Sequence, residues 1–193
     1  MDGYRFDHRY RETLVLRDGS AVELRLVHAD DKELLRRSFE RLSEDGRYHR
    51  FFVRKRALLD AELRFLTELD QEDHVAIVAL RGRPEEALGV ARAVRLHLEP
   101  DVYEVALTVL DAVQRRGLAT LLLERLIGAV VERGGGGLRF CVLPSNQAMQ
   151  VLLRQALPDA VSRNEGGLLR FDVPLGHDDG RADRRQRAPS AAR

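Results

Sequence analysis

Apolar and polar residues alternate from Ala21 to Val27, with Val22, Leu24 and Leu26 set against Glu23 and Arg25. That period of two predicts a half-buried strand, and Arg17-Asp18-Gly19-Ser20 before it supplies a turn. The spacing then lengthens. Asp30-Asp31-Lys32-Glu33 reads as a cap followed by an acid inside the first turn, and Leu34, Leu35, Phe39 and Leu42 recur on one helical face. A second helical pattern runs from Leu58 to Leu69. Between the two lies Arg47-Tyr48-His49-Arg50-Phe51-Phe52, a basic and aromatic stretch expected as a loop or short helix near a substrate, or as packing for the second helix. Val-rich runs at His74 to Leu80 and Leu88 to Leu96, separated by Arg81-Gly82-Arg83-Pro84, predict an antiparallel pair, and Tyr103 to Leu110 predicts a further strand.

The strongest helical pattern follows from Gly117 to Arg133, with Leu118, Leu121, Leu122, Leu126, Ala129 and Val130 on one face and a run of glycines after it. Leu138 to Leu143 has strand length, Pro144-Ser145-Asn146 leads into a weaker helix that ends near Pro158, and the runs at Ala160 to Arg163 and Leu168 to Val173 flank a hairpin turn, Asn164-Glu165-Gly166-Gly167. Residues 1–15 read as a polar N-terminal arm, and residues 176–193 as a tail with too little apolar surface to order. One α/β (α+β) domain over residues 16–175 is therefore expected, in the order β-α-α-β-β-β-α-β-α-β-β.

Length and composition narrow the classes. A chain of 193 residues suits one domain, and 44% hydrophobic with 33% charged residues suits a globular protein. No apolar run approaches the ~20 residues needed to cross a bilayer, and the first residues lack the apolar stretch of a secretion signal, so no membrane partner is expected and the cytoplasm is the expected location. A net charge of +1 gives no reason to expect nucleic acid, although an adaptor using the basic stretch 47–56 would escape such a total. The histidines show no spacing that would hold a metal, and none is expected. The single cysteine, Cys141, stands between Phe140 and Val142 and is expected as a small buried side chain.

Candidate chemistry concentrates at residues 109–120, where a strand passes through a tight basic turn into the best helix. A helix start presents unpaired amides and the positive end of its dipole, so this turn is expected to bind an anion, with a diphosphate the natural choice. Gly117 and Ala119 keep bulk away from the backbone, and Arg115 and Arg116 can add charge. The turn lies late in the chain and lacks the Gly-x-Gly-x-x-Gly of a dinucleotide fold.

Gln114-Arg115-Arg116-Gly117-Leu118-Ala119 matches the Gln/Arg-x-x-Gly-x-Gly/Ala signature of the GNAT superfamily of acyl-CoA-dependent N-acyltransferases, which this sequence resembles over Leu16 to Leu175. The stretch Leu42-Ser43-Glu44-Asp45-Gly46-Arg47-Tyr48-His49-Arg50-Phe51-Phe52 is similar to the branch that includes bacterial Pat-type protein-lysine acetyltransferases, with Gly46 in place of the usual second serine. The resemblance implies a mixed, largely antiparallel sheet of about seven strands with about four helices. It implies acetyl-CoA or another short acyl-CoA as co-substrate. Leu107 and Val109 would pair with the pantetheine arm, residues Gln114, Arg115, Arg116, Gly117, Leu118, Ala119 and Thr120 would hold the diphosphate, and Asn146 would contact the pantetheine end unless it serves only as a helix cap. The acceptor would be an amine, either a small molecule or a protein lysine, and the protein a monomer or homodimer. No nucleotide-sensing or synthetase-like domain is expected beside it.

A lysine amine of pKa ~10.4 is mostly charged at neutral pH, and freeing it costs about 4 to 5 kcal/mol. The resemblance assigns the general base to Glu104, whose basicity burial beside Val105 and Ala106 is expected to tune. A backbone amide at Val109 or Leu110 is available for an oxyanion. Many relatives carry a tyrosine acid seven residues after this asparagine. Here the position is Leu153, leaving Tyr48 or Tyr103 as substitutes. The expected function is acetyl transfer from acetyl-CoA to a primary amine by direct attack; the alternative is a non-catalytic acyl-CoA-binding regulatory protein.

Overall fold

The computed structural model describes residues 4–176. β1 (Arg11–Val15) and β2 (Ala21–Leu26) form a hairpin, and β3 (His74–Arg81), β4 (Glu86–Leu96) and β5 (Glu99–Val109) continue it as an antiparallel meander. β6 (Gly137–Val142) runs parallel to β5, whereas β7 (Val161–Glu165) and β8 (Leu168–Pro174) close the sheet antiparallel in the order β6-β8-β7. The helices are α1 (Lys32–Glu40), α2 (Glu44–Phe51), α3 (Asp60–Thr67), α4 (Leu118–Glu132) and α5 (Gln147–Ala156). Among the described residues, no helix is long and apolar enough to cross a membrane.

Register explains the layers. Ala91 lies opposite Leu107 and Ala93 opposite Val105, and this face carries α4. Val90, Arg92 and Val94 lie opposite Thr108, Ala106 and Glu104 on the other face, which α1, α2 and α3 cover. The approach of α4 is close enough to require glycine at 89, because a Cβ there would stand 2.9 Å from the Thr108 carbonyl and 3.1 Å from Leu122.

Among the described residues eight strands and five α-helices are present where about seven and four are expected. One addition is β1, which occupies residues read as a polar arm, and Phe6 and Tyr10 just before it are buried in the core. The other is α2, whose start Ser43 caps by accepting from the Gly46 amide at 3.1 Å and whose end Phe52 closes in the left-handed region. The tail expected at 176–193 lies outside the described residues, apart from Gly176.

A buried ion pair ties β2 to the start of α1. Arg25, only 4% exposed, donates to both oxygens of Asp31 at 2.7 and 2.8 Å, and the His28 amide donates to the same carboxylate. Burial alone would raise the Asp31 pKa, but the hydrogen bonds from Arg25 and His28 outweigh it and hold the carboxyl below its ordinary value. This stabilisation is therefore complete above the unfolded carboxyl's pKa of ~4 and is lost as acidification passes the lower folded value. Asp31→Ala, which leaves the buried guanidinium only the half-exposed Glu85 at 3.3 Å, is expected to cost up to about 3–5 kcal/mol in denaturant unfolding at neutral pH. A loss under ~1 kcal/mol would show that water reaches the pair.

Candidate functional site

β5 and β6 pair only at Val102 with Gly137, Tyr103 with Leu138 and Glu104 with Arg139. Beyond that fork β6 stays with β8 as far as Val142, while β5 stays with β4, and the two strands part. The Leu110 amide donates to Leu88 on β4 at 2.9 Å. Strand alternation then turns the backbone groups of Val105, Leu107 and Val109 toward the gap. In agreement, the Val109 carbonyl accepts from the Gln114 side chain at 3.2 Å rather than from a strand. The gap widens into a cleft of about 350 Å³, lined on one side by β5 and on the other by Phe140, Cys141 and Val142.

At its far end the chain turns into α4. Arg115 (φ 61°) and Gly117 (φ 90°) both take left-handed conformations, which bends the backbone so that the amides from Arg115 to Thr120 donate to no protein acceptor among the described residues. Consecutive free amides at a helix start form a seat for an anion. Gln114, Arg115, Gly117, Leu118, Ala119 and Thr120 all border the cleft, as do Leu107, Val109 and Asn146.

Arg116 does not border it. Its guanidinium pairs with Asp18 and donates to the Ala112 carbonyl at 2.8 Å, so this arginine fastens the turn to the β1–β2 hairpin instead of adding free charge. The same hairpin delivers a cation that sequence reading assigned only to a turn. Arg17 donates its amide to the Arg116 carbonyl at 3.2 Å, and its Nε would stand 3.4 Å from a Cβ placed on Gly117. A residue a hundred positions away in the chain gives no local signal for this. Arg17→Ala is expected to weaken acyl-CoA binding about tenfold in calorimetry, a charge-assisted contact reduced by exposure. An unchanged affinity would assign the anion's charge to the amides and Arg115 alone.

Glu104 sits at the fork, on the sheet face shared with Ala106 and Thr108, and its side chain borders the cleft. It is exposed, so the tuning burial expected for it is absent. The Leu110 amide, committed to Leu88, is unavailable to an oxyanion, whereas that of Val109 faces the gap. Asn146 caps α5, its Oδ1 accepting from Met149 at 3.1 Å, and its side-chain NH2 remains beside the cleft.

Neither tyrosine substitutes for the missing acid. Tyr103 is fully buried and donates to the Glu72 carbonyl at 3.2 Å, with burial raising its pKa, while Tyr48 does not border the cleft. Leu153 is a core residue at 0% exposure, and α5 presents Ala148, Met149, Leu152 and Gln155 to the cleft instead.

Cys141 corrects another expectation. It alternates with Phe140 and Val142, so it points away from the core they fill and borders the cleft at intermediate exposure. Burial, followed by the charge of Glu104, raises its thiol pKa. The His49 ring also borders the cleft, with Nε2 at 3.2 Å from Ser145 Oγ, linking α2 to the loop before α5.

A forked sheet with an amide seat at one end of the gap defines an acyl-CoA-binding fold. Residues 32–157 match the acetyltransferase (GNAT) family, and the chain belongs to it. It is 33% identical over 141 residues to acetyltransferase Pat of Mycolicibacterium smegmatis, covering 72% of this chain and 41% of that protein. The GNAT domain of S. lividans PAT superposes with a TM-score of 0.82 at 30% identity, over 88% of this chain and 99% of that domain. A cAMP-binding acyltransferase from Mycobacterium smegmatis gives a TM-score of 0.62 at 27% identity, over 87% of this chain and 48% of that one. The chain resembles the Pat branch in fold and sequence, and spans about half or less of these two longer relatives.

Proposed function

We propose that this chain transfers an acetyl group from acetyl-CoA to a primary amine, of a small molecule or a protein lysine, by direct attack. The observation that carries the reading is the fork itself: a strand edge with free backbone groups leads from an anion seat to a carboxylate. Along β5, Glu104 and Val109 stand about 17 Å apart at the usual rise per residue. Leu107 and Val109 would pair with the amides of a pantetheine arm as with an added strand, and the turn from Gln114 to Thr120 would take the diphosphate. The side-chain NH2 of Asn146 would donate to the arm while its oxygen keeps the helix capped.

The co-substrate supplies an activated thioester, and the chain supplies position and proton transfer. Glu104 accepts the proton of the ammonium at the fork, converting the acceptor to its nucleophilic form. The Val109 amide, about 17 Å from Glu104 along β5, is too far to serve an oxyanion formed beside that carboxylate and is left to the pantetheine arm. No tyrosine is needed for departure of the thiol, whose ordinary pKa of ~8.5 lets it leave as the anion. Membership in an acetyltransferase family favours turnover over bare acyl-CoA binding.

The test is release of free thiol from acetyl-CoA across a panel of small amines and lysine-bearing proteins, with mass spectrometry of the acceptor. Acylated amine appearing with stoichiometric thiol supports the reading. Tight acyl-CoA binding without transfer to any member overturns it.

A further inference from the structure

Among the described residues three arginines are buried, Arg25, Arg92 and Arg133, and Arg92 has the fewest oxygen partners. Arg25 has Asp31, and the Arg133 guanidinium donates to the carbonyls of Gln71, Ala129 and Phe6. Arg92, only 4% exposed on the face beneath α1 and α3, donates to the Leu66 carbonyl at 2.6 Å and contacts His74 Nε2. Burial and then the charge of Arg92 pull the His74 pKa down to about 4, so at neutral pH the ring is uncharged and offers no balancing anion. Among the described residues, Arg92 forms no ion pair. Neither does the nearby Arg50, whose guanidinium lies 4.9 Å from the centre of the Phe51 ring. Burial and then Arg50 lower the Arg92 pKa to about 9, and burial lowers that of Arg50 as well. Arg50 feels the opposing charge of Glu104, whereas Arg92 has no ion-pair partner among the described residues, an arrangement that an incoming anion relieves.

Geometry gives that anion a place. Arg50 and Arg92, with Ser38 and Thr108, border a second cavity of about 60 Å³. It shares Leu42, Arg50, Ala106 and Thr108 with the main cleft. The volume admits a small group such as a carboxylate with a water, but no bulky one. Arg92 lies directly opposite Ala106, and Glu104 is the next residue of β5 on that face, about 7 Å along the strand. A molecule with a carboxylate at the arginines therefore extends toward the fork, where Glu104 waits for an ammonium.

Resting on the transferase reading above, we propose that the cavity between Arg50 and Arg92 binds the carboxylate of the acceptor, making the acceptor a free, amino-acid-like amine. The small volume, about 60 Å³, suits the carboxylate of a free molecule better than a lysine held in a polypeptide backbone.

The test pairs each diamino acid with its decarboxylated counterpart: lysine with cadaverine, and ornithine with putrescine. The expected result is a kcat/KM about tenfold or more higher for the carboxylated partner, carried mainly by KM, and a ratio falling toward one in Arg50→Gln and Arg92→Gln. Glutarate binding to the CoA-loaded protein is measured in parallel by calorimetry and should be lost in both variants. Because Arg92 is buried, Arg50→Gln and a thermal melt of each variant separate lost recognition from lost folding. Equal use of both partners by the wild type, or a preference that survives in a folded Arg50→Gln protein, overturns the proposal. Arginine-dependent glutarate binding without transfer to any amine supports the anion pocket and removes the transferase reading instead.

Discussion

Glu104→Gln is expected to slow acetyl transfer by about a hundred- to ten-thousandfold, the range for loss of a positioned general base. Acyl-CoA affinity should stay near the wild-type value, since Glu104 stands at the fork and the anion seat lies beyond the opposite end of the free edge. The pH profile separates base catalysis from a packing defect. The variant must wait for amine that is already deprotonated, so its deficit should narrow as pH rises toward the acceptor's pKa of ~10.4. Initial rates between neutral and alkaline pH would show this convergence. A parallel loss at every pH, or a loss in affinity rather than rate, would remove Glu104 from the base's role.

Gly117→Val should have a comparable effect on binding. The residue has φ 90°, a conformation costly to any β-branched side chain, and its Cβ would stand 3.4 Å from Arg17 Nε in the mouth of the seat. An affinity loss of about a hundredfold or more for acyl-CoA is expected, equivalent to ~2.7 kcal/mol. Gly134→Ala is the control: φ is 73° and nothing lies within 4 Å of the added carbon, so the backbone strain is imposed far from any ligand. It should cost about 1–2 kcal/mol in unfolding and leave affinity intact. Equal affinity losses in the two variants would mean that general destabilisation, not the seat, is being measured.

The central strands and α4 were legible because their side chains repeat with the periods of strand and helix, and the tight turn before α4 because Gly117 and Ala119 stand where a helix begins. β1 was hidden by its own inner face. Glu12 points inward there, held by Arg125 of α4 at 2.8 and 2.9 Å, so a half-buried position reads as polar. Arg116 and Arg17 exchanged expected roles because the deciding contact, Asp18 with Arg116, joins elements that no local pattern connects. Cys141 is a different case. Strand alternation sets it on the face opposite Phe140 and Val142, so its apolar neighbours say nothing of its own burial. The arginine pocket was not legible because Arg50 of α2 and Arg92 of β4, far apart in the chain, meet only in the fold.

Asp111 holds the two substrates' territories on one carboxylate. One oxygen accepts from the Gln114 side chain at 3.2 Å, and the other from the Ser43 amide at 3.1 Å at the cap of α2, the helix that carries His49 and Arg50. The turn proposed for the donor is thereby tied to the helix that borders the proposed acceptor cavity. If both proposed sites are filled, binding at one should alter affinity at the other by the same factor in either order, and Asp111→Ala should abolish that coupling.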